Sequence, residues 1–319
     1  MRALVRDQHG VRLAQLPRPR ADQPNDVLIR VVAAGLCRTD LYVARGLLAA
    51  RTPVVLGHEL SGVVEEVGAG VAPLRPGDRV GVLPWIPCAE CSECLRVAAQ
   101  PRALRCTHAA MLGVDRDGAF AEFLLVPEEC VIAVPAGLPP LAAAYLEPVA
   151  ASLAVLKADL HPGQRGLLLG ENRIAELTRR VLAAHDFHHL ATWSAGQPEP
   201  EPGVYDFAIE THATPGILEV MMRALKRGGL AVLKSRPASA VSLDVRKAVL
   251  RELRFHGVNY GSFDDAIRLL ASGRLELDGL LGPVFALEEY EALFAHAERD
   301  ETAKPFFSSN SAEAPTTAD

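Results

Sequence analysis

Six cysteines, at positions 37, 88, 91, 94, 106 and 130, are spaced for metal rather than for disulfides. Cys88, Cys91 and Cys94 form a Cys-x2-Cys-x2-Cys run, and Cys106 follows after a polar, arginine-containing stretch. Four thiolates saturate a tetrahedral Zn2+, which makes this a structural type of site with no open position. The opening residues hold no apolar run long enough for a secretory signal, so a reducing, cytoplasmic compartment is expected, where such spacing favours metal. Two further segments, Gly35-Leu-Cys-Arg-Thr-Asp40 and Gly57-His-Glu-Leu-Ser-Gly62, carry a different ligand set. Cys37 and His58 are soft and borderline ligands, Glu59 or Glu147 would add a hard one, and water could take a remaining place. A Cys/His/carboxylate set with one exchangeable position is a catalytic zinc site. Cys130, in Glu-Glu-Cys-Val-Ile-Ala-Val, reads as a buried strand residue.

The elements that must hold these groups change character along the chain. Within residues 1–150, short runs such as Asp26-Val-Leu-Ile-Arg-Val-Val, Gly62-Val-Val-Glu-Glu-Val and Asp78-Arg-Val-Gly-Val-Leu alternate with turn residues, an all-β pattern. From 151 onward strands and helices alternate. Leu167 to Gly170, Leu190 to Trp193, Tyr205 to Glu210 and Gly228 to Lys234 read as strands, with helices over Ile174–Ala184 and around 216–226. That alternation specifies a parallel, doubly wound α/β sheet. Only Ala195 to Val204 joins the second strand to the third, and its three prolines forbid a helix. A further strand and helix would need a crossover of a dozen or more residues, so one strand–helix unit is expected to be missing. Ten extended residues reach about 33 Å, enough to return across the sheet. Residues 308–319 are small and polar and are expected to form a disordered tail.

Composition narrows the function. The chain has 319 residues, 49% hydrophobic and 23% charged, with a net charge of −6 and no basic block, which excludes nucleic acid as a partner. No stretch approaches the ~20 apolar residues that span a bilayer.

These motifs in this order resemble the zinc-containing medium-chain dehydrogenase/reductase family, which includes alcohol, polyol and threonine dehydrogenases. The resemblance runs to about residue 307 through Gly35-x-Cys37-x-Thr39-Asp40, Gly57-His58-Glu59, Pro76-Gly77-Asp78-Arg79-Val80, the four-cysteine lobe and Glu147-Pro148. It implies a GroES-like β-barrel domain at 1–150, completed by 283–307, and a Rossmann domain over 151–282. By position, Cys37, His58 and Glu147 would be catalytic zinc ligands, with Glu59 behind them or alternating as a fourth. Thr39 would start a proton relay from the substrate alcohol, and Arg38 falls where some members contact the cofactor pyrophosphate. Two zinc ions per chain, one catalytic and one structural, and NAD(P) are the implied cofactors. A small-molecule substrate and a homodimer or homotetramer are the implied partners, and Tyr42, Trp85, Ile86 and Tyr260 are candidates for the substrate lining. The lobe departs from the family, since eleven residues separate Cys94 from Cys106 where seven are usual. Glu93 or His108 could then substitute as fourth ligand.

The dinucleotide fingerprint departs further. In Gly-x-Gly-x-x-Gly the second glycine lets pyrophosphate approach the backbone and the third lets the helix pack on the strand. Here the residues are Gly170-Glu171-Asn172-Arg173-Ile174-Ala175, and only the first glycine survives. Asn172 adds bulk and Glu171 adds negative charge beside an anion site. The ribose-binding carboxylate is replaced by Thr192-Trp193-Ser194-Ala195, and Arg173, Arg179 and Arg180 are the nearby cations. Gly170, Asn172, Arg173, Ser194 and Arg38 are therefore the expected, weak, cofactor contacts. Two functions follow. One is an NAD(P)-dependent zinc alcohol dehydrogenase or carbonyl reductase. The alternative is a zinc Lewis-acid enzyme (lyase, cyclase or hydrolase) or a non-catalytic relative that has lost ordinary nicotinamide binding.

Overall fold

Valine-rich runs broken by Gly and Pro form the strands of the first of two compact units, Met1–Glu147 with Leu277–Asp319. The second unit is Pro148–Glu276. The computed structural model describes residues 1–96, 106–237 and 239–309. Residues 310–319, most of the segment expected as a tail, lie outside them, as do 97–105, which include the extra Ala-Ala-Gln-Pro of the cysteine lobe; Ser308 closes a strand.

The first unit is built on a seven-stranded sheet in the spatial order Val131–Ala133, Arg79–Val82, Glu59–Val67, Asp26–Gly35, Lys304–Ser308, Leu281–Ala286, with Phe123–Pro127 also pairing Asp26–Gly35. A three-stranded sheet of Gly10–Gln15, Arg2–Asp7 and Val54–Val55 accompanies it. Register brings the site together. Gly35 pairs Glu59 on one side and Phe306 on the other, so three segments remote in sequence meet at one rung. An added Cβ at Gly35 would stand 2.8 Å from both Glu59 Oε2 and Lys304 Cδ, and the missing side chain is the room those two occupy.

This unit is not all-β, as its sequence pattern suggested. Arg38–Ala44 and Pro140–Ala144 are helices, and Leu146–Leu153 is a helix that begins in this unit and continues into the second. Cys130 is fully buried but closes a 3-10 turn, Glu128–Cys130, rather than lying in a strand.

The second unit is a parallel sheet of five strands in the order Leu190–Trp193, Gly166–Leu169, Tyr205–Glu210, Leu225–Leu233, Arg254–Gly257. Alternate residues of the buried strands feed opposite layers. Leu168, Phe207, Ile209 and Val232 pack on one face with Ala175 and Leu182 of the helix Arg173–Ala183. Leu167, Leu169, Ala208 and Ala231 pack on the other with Ile217 and Met221 of the helix Pro215–Ala224. That second helix ends at Ala224, two residues short of the expected range, because Leu225 already begins the next strand. Residues 194–204 return from the edge strand past Gly166–Leu169 with no helix or strand of their own, so a single strand flanks the first strand on that side. Among the described residues no helix is long and apolar enough to cross a membrane.

Candidate metal centres and nucleotide crevice

Cys88, Cys91, Cys94 and Cys106 bring their sulfurs within 4.8 Å of one another. Individual Sγ–Sγ separations are 3.5 Å (Cys88–Cys106), 3.9 Å (Cys91–Cys106) and 4.0 Å (Cys88–Cys94). A tetrahedron with Zn–S bonds of about 2.3 Å has edges of about 3.8 Å, so the donor set fits zinc. All are free thiols, far beyond disulfide length. Backbone N–H groups converge on the sulfurs, from Cys88 and His108 to Cys106 and from Cys91 to Cys88. Amides at Cys94 and Thr107 pull the Cys91 thiol down to about 5, toward the thiolate a metal requires. Cys106, rather than Glu93 or His108, completes the four-ligand group.

A second group brings together the ligand atoms of Cys37, His58 and Glu59, again within 4.8 Å of one another. Cys37 caps the helix Arg38–Ala44, where the Asp40 carboxylate accepts from the Cys37 amide at 2.9 Å. Asp40 also accepts from the Gly57 amide at 3.0 Å, so one buried carboxylate ties both ligand loops. Its Oδ1 lies 3.4 Å from His58 Nδ1, which makes no well-formed hydrogen bond. Burial alone would lower the His58 pKa, but Asp40 and Cys37 outweigh it and hold the imidazole well above its ordinary value. Glu59 is ion-paired to Lys304, both about 1% exposed. Lys304 also donates to the Leu36 carbonyl at 3.3 Å and lies 5.7 Å from the centroid of the Tyr145 ring. Burial pushes the Glu59 carboxyl up, Lys304 opposes this, and the charge of Glu147 adds to it. Glu147 is buried at the start of its helix, near Glu59 but outside the three-residue group. Thr39 Oγ1 is 3.8 Å from Cys37 Sγ.

Asp40 stands in the Gly35-x-Cys37-x-Thr39-Asp40 motif, but its tie between the two loops and the Lys304 pair are not legible in the sequence. Arg38, expected at a pyrophosphate, is instead paired with Glu301 at 2.6 Å. Tyr260, a candidate for the substrate lining, is buried inside the second unit against Phe263 and Arg236.

In the second unit, Gly170, Asn172 and Ser194 line one cavity of about 270 Å³ at the carboxyl ends of the first two strands, with Trp193 and Gln197. Arg173 opens the adjoining helix. This is the end of a doubly wound sheet where nucleotides sit, but the phosphate cradle is not open. Asn172 Oδ1 accepts from the amides of Ile174 and Ala175, both at 3.0 Å, and Nδ2 donates to the Thr211 carbonyl at 3.3 Å. Of the three nearby cations, Arg179 and Arg180 both pair with Glu176, whose carboxyl they hold down at about 2, whereas Arg173 Nε is buried with no hydrogen-bond partner among the described residues. Glu210, at the end of the third strand, accepts from the amides of Lys234 and Ser235. The fold fits a nucleotide domain, whereas the residues at the pyrophosphate position do not fit a pyrophosphate.

Comparison with known proteins places these features. Residues 23–136 match the alcohol dehydrogenase GroES-like domain family. The chain is 36% identical over 340 residues to galactitol 1-phosphate 5-dehydrogenase of Escherichia coli strain K12, covering 94% of this chain and 96% of that one. It is 28% identical over 332 residues to L-threonine 3-dehydrogenase of Bacillus subtilis strain 168, covering 92% and 94%. A solved structure from Sinorhizobium meliloti 1021, bound to NADP, superposes with a TM-score of 0.87 at 25% identity over 96% of this chain and 98% of the other.

Proposed function

The chain belongs to the zinc-containing medium-chain dehydrogenase/reductase family, and on that footing we propose that it is an NAD(P)-dependent zinc alcohol dehydrogenase or carbonyl reductase acting on a small alcohol or carbonyl compound. The observation that carries this is the buried Cys37–His58–Glu59 group, assembled on a chain 36% identical to a polyol dehydrogenase.

Cys37, His58 and a carboxylate from Glu59 or Glu147 would hold the catalytic zinc, and Cys88, Cys91, Cys94 and Cys106 a structural one. Bound zinc supplies a Lewis acid that acidifies a coordinated hydroxyl and polarises a carbonyl. The chain's own residues do the rest. Asp40 faces His58 Nδ1, which leaves Nε2 as the nitrogen for the metal and fixes the ring. Lys304 holds the Glu59 carboxylate in place. The Thr39 hydroxyl, beside Cys37 Sγ, takes the proton from a substrate hydroxyl and passes it outward. All six cysteines are free, which supports a reducing, cytoplasmic compartment, and the family supports a homodimer or homotetramer.

Oxidation of a panel of small secondary alcohols and polyols with NAD+ or NADP+ at high concentration tests this. Turnover that a chelator abolishes and that vanishes in His58→Asn is expected. Turnover that survives both treatments, or none with any alcohol or carbonyl partner, contradicts the proposal.

A further inference from the structure

We infer that the Asn172 side chain occupies the place of the cofactor's pyrophosphate, so that this one residue sets a low affinity for NADH and NADPH. The inference rests on the dehydrogenase reading, since it concerns how that reaction's nucleotide is held.

A helix leaves its first amides without partners inside the helix, and in dinucleotide sites a pyrophosphate satisfies them. Here the helix Arg173–Ala183 has two of those amides, at Ile174 and Ala175, already satisfied by Asn172 Oδ1. The same side chain reaches across the crevice, where the strand order reverses, to the Thr211 carbonyl. Gly170, at φ +134°, brings the two strand ends so close that an added Cβ would lie 2.1 Å from Thr211 Oγ1. A phosphate entering this crevice must displace three hydrogen bonds of Asn172. It must also approach Glu171, which lines the same cavity, while Arg179 and Arg180 are held by Glu176. Self-satisfaction of the amides and the charge of Glu171 act in the same direction, and Arg173, which opens the helix, acts against them.

Two substitutions separate these effects while leaving the zinc centres untouched. Asn172→Gly removes the side chain, and glycine is itself an acceptable N-cap. Asn172→Asp keeps the cap and places a negative charge against the phosphates. The full chain, loaded with zinc, is titrated with NADH and with NADPH by the fluorescence of the reduced nicotinamide, with no substrate present. Zinc content and far-UV circular dichroism report that each variant is folded. Asn172→Gly is expected to tighten binding by about tenfold or more, a factor comparable to the worth of one helix cap, and Asn172→Asp to weaken it below the unmodified chain. An unmodified chain that binds as tightly as Asn172→Gly overturns the inference and leaves the dehydrogenase reading standing. No binding by any form, with zinc in place and the chain folded, overturns both and moves the chain to zinc chemistry without nicotinamide.

Discussion

Thr39→Val should lower turnover by about 10²–10⁴-fold while both zinc ions stay in place, because a positioned general acid–base group contributes on that scale. Valine nearly matches threonine in shape and removes only the hydroxyl. Thr39 is the second residue of the helix Arg38–Ala44, whose start is fixed by Asp40 through the Cys37 amide, so the backbone has no reason to move. The loss should fall on kcat rather than KM, since the hydroxyl acts on the proton and not on substrate binding at large. Thr39→Ser, which restores a hydroxyl, should recover most of the rate. A Thr39→Val rate within about twofold of the unmodified enzyme would show that this side chain takes no part in proton transfer.

Lys304→Met should destabilise the first unit by about 3–5 kcal/mol, because removing one partner of a buried pair strands the other charge away from water. Glu59 and Lys304 are each about 1% exposed, and no solvent is at hand to take up the carboxylate. Thermal or denaturant unfolding of the chain stripped of metal measures the loss, so that zinc does not take the place of Lys304 beside Glu59. A second variant, Lys304→Met with Glu59→Leu, should recover much of it, since an apolar pair of similar volume often matches a buried ion pair. A loss below about 1 kcal/mol for Lys304→Met alone would mean that water reaches the pair, on the scale of an exposed salt bridge.

What the sequence made legible follows from how local each signal is. The Cys88-x2-Cys91-x2-Cys94 run and the Gly57-His58-Glu59 loop are short words whose candidate ligands lie within a few residues, so spacing alone raises them as candidates. The missing strand–helix unit was equally readable, because three prolines and ten residues leave no alternative to an irregular return. Lys304 was invisible for the opposite reason. It lies 245 residues from Glu59 and meets it only through the pairing of Phe306 with Gly35 and of Gly35 with Glu59. The signal that could have raised it is a lone lysine heading the apolar strand Lys304-Pro-Phe-Phe.

The helices Pro140–Ala144 and Leu146–Leu153 escaped the all-β reading of residues 1–150 because they are too short to show a clear 3.6 period, although Pro140 at the first turn is a start signal. Arg254–Gly257 was missed as a strand because it is a four-residue edge, Arg-Phe-His-Gly, with little apolar content. Cys130 illustrates a partial success. Its apolar surroundings announced burial, but the Pro127-Glu128-Glu129 lead-in makes a turn before the following strand starts at Val131.

Metal analysis of the purified full chain tests most directly whether two separate ligand sets each hold a zinc ion. Two zinc ions per chain are expected in the unmodified protein, falling to one in His58→Ala and to one in Cys106→Ser. Less than one zinc in the unmodified protein, or two retained in His58→Ala, would contradict a catalytic zinc at Cys37 and His58.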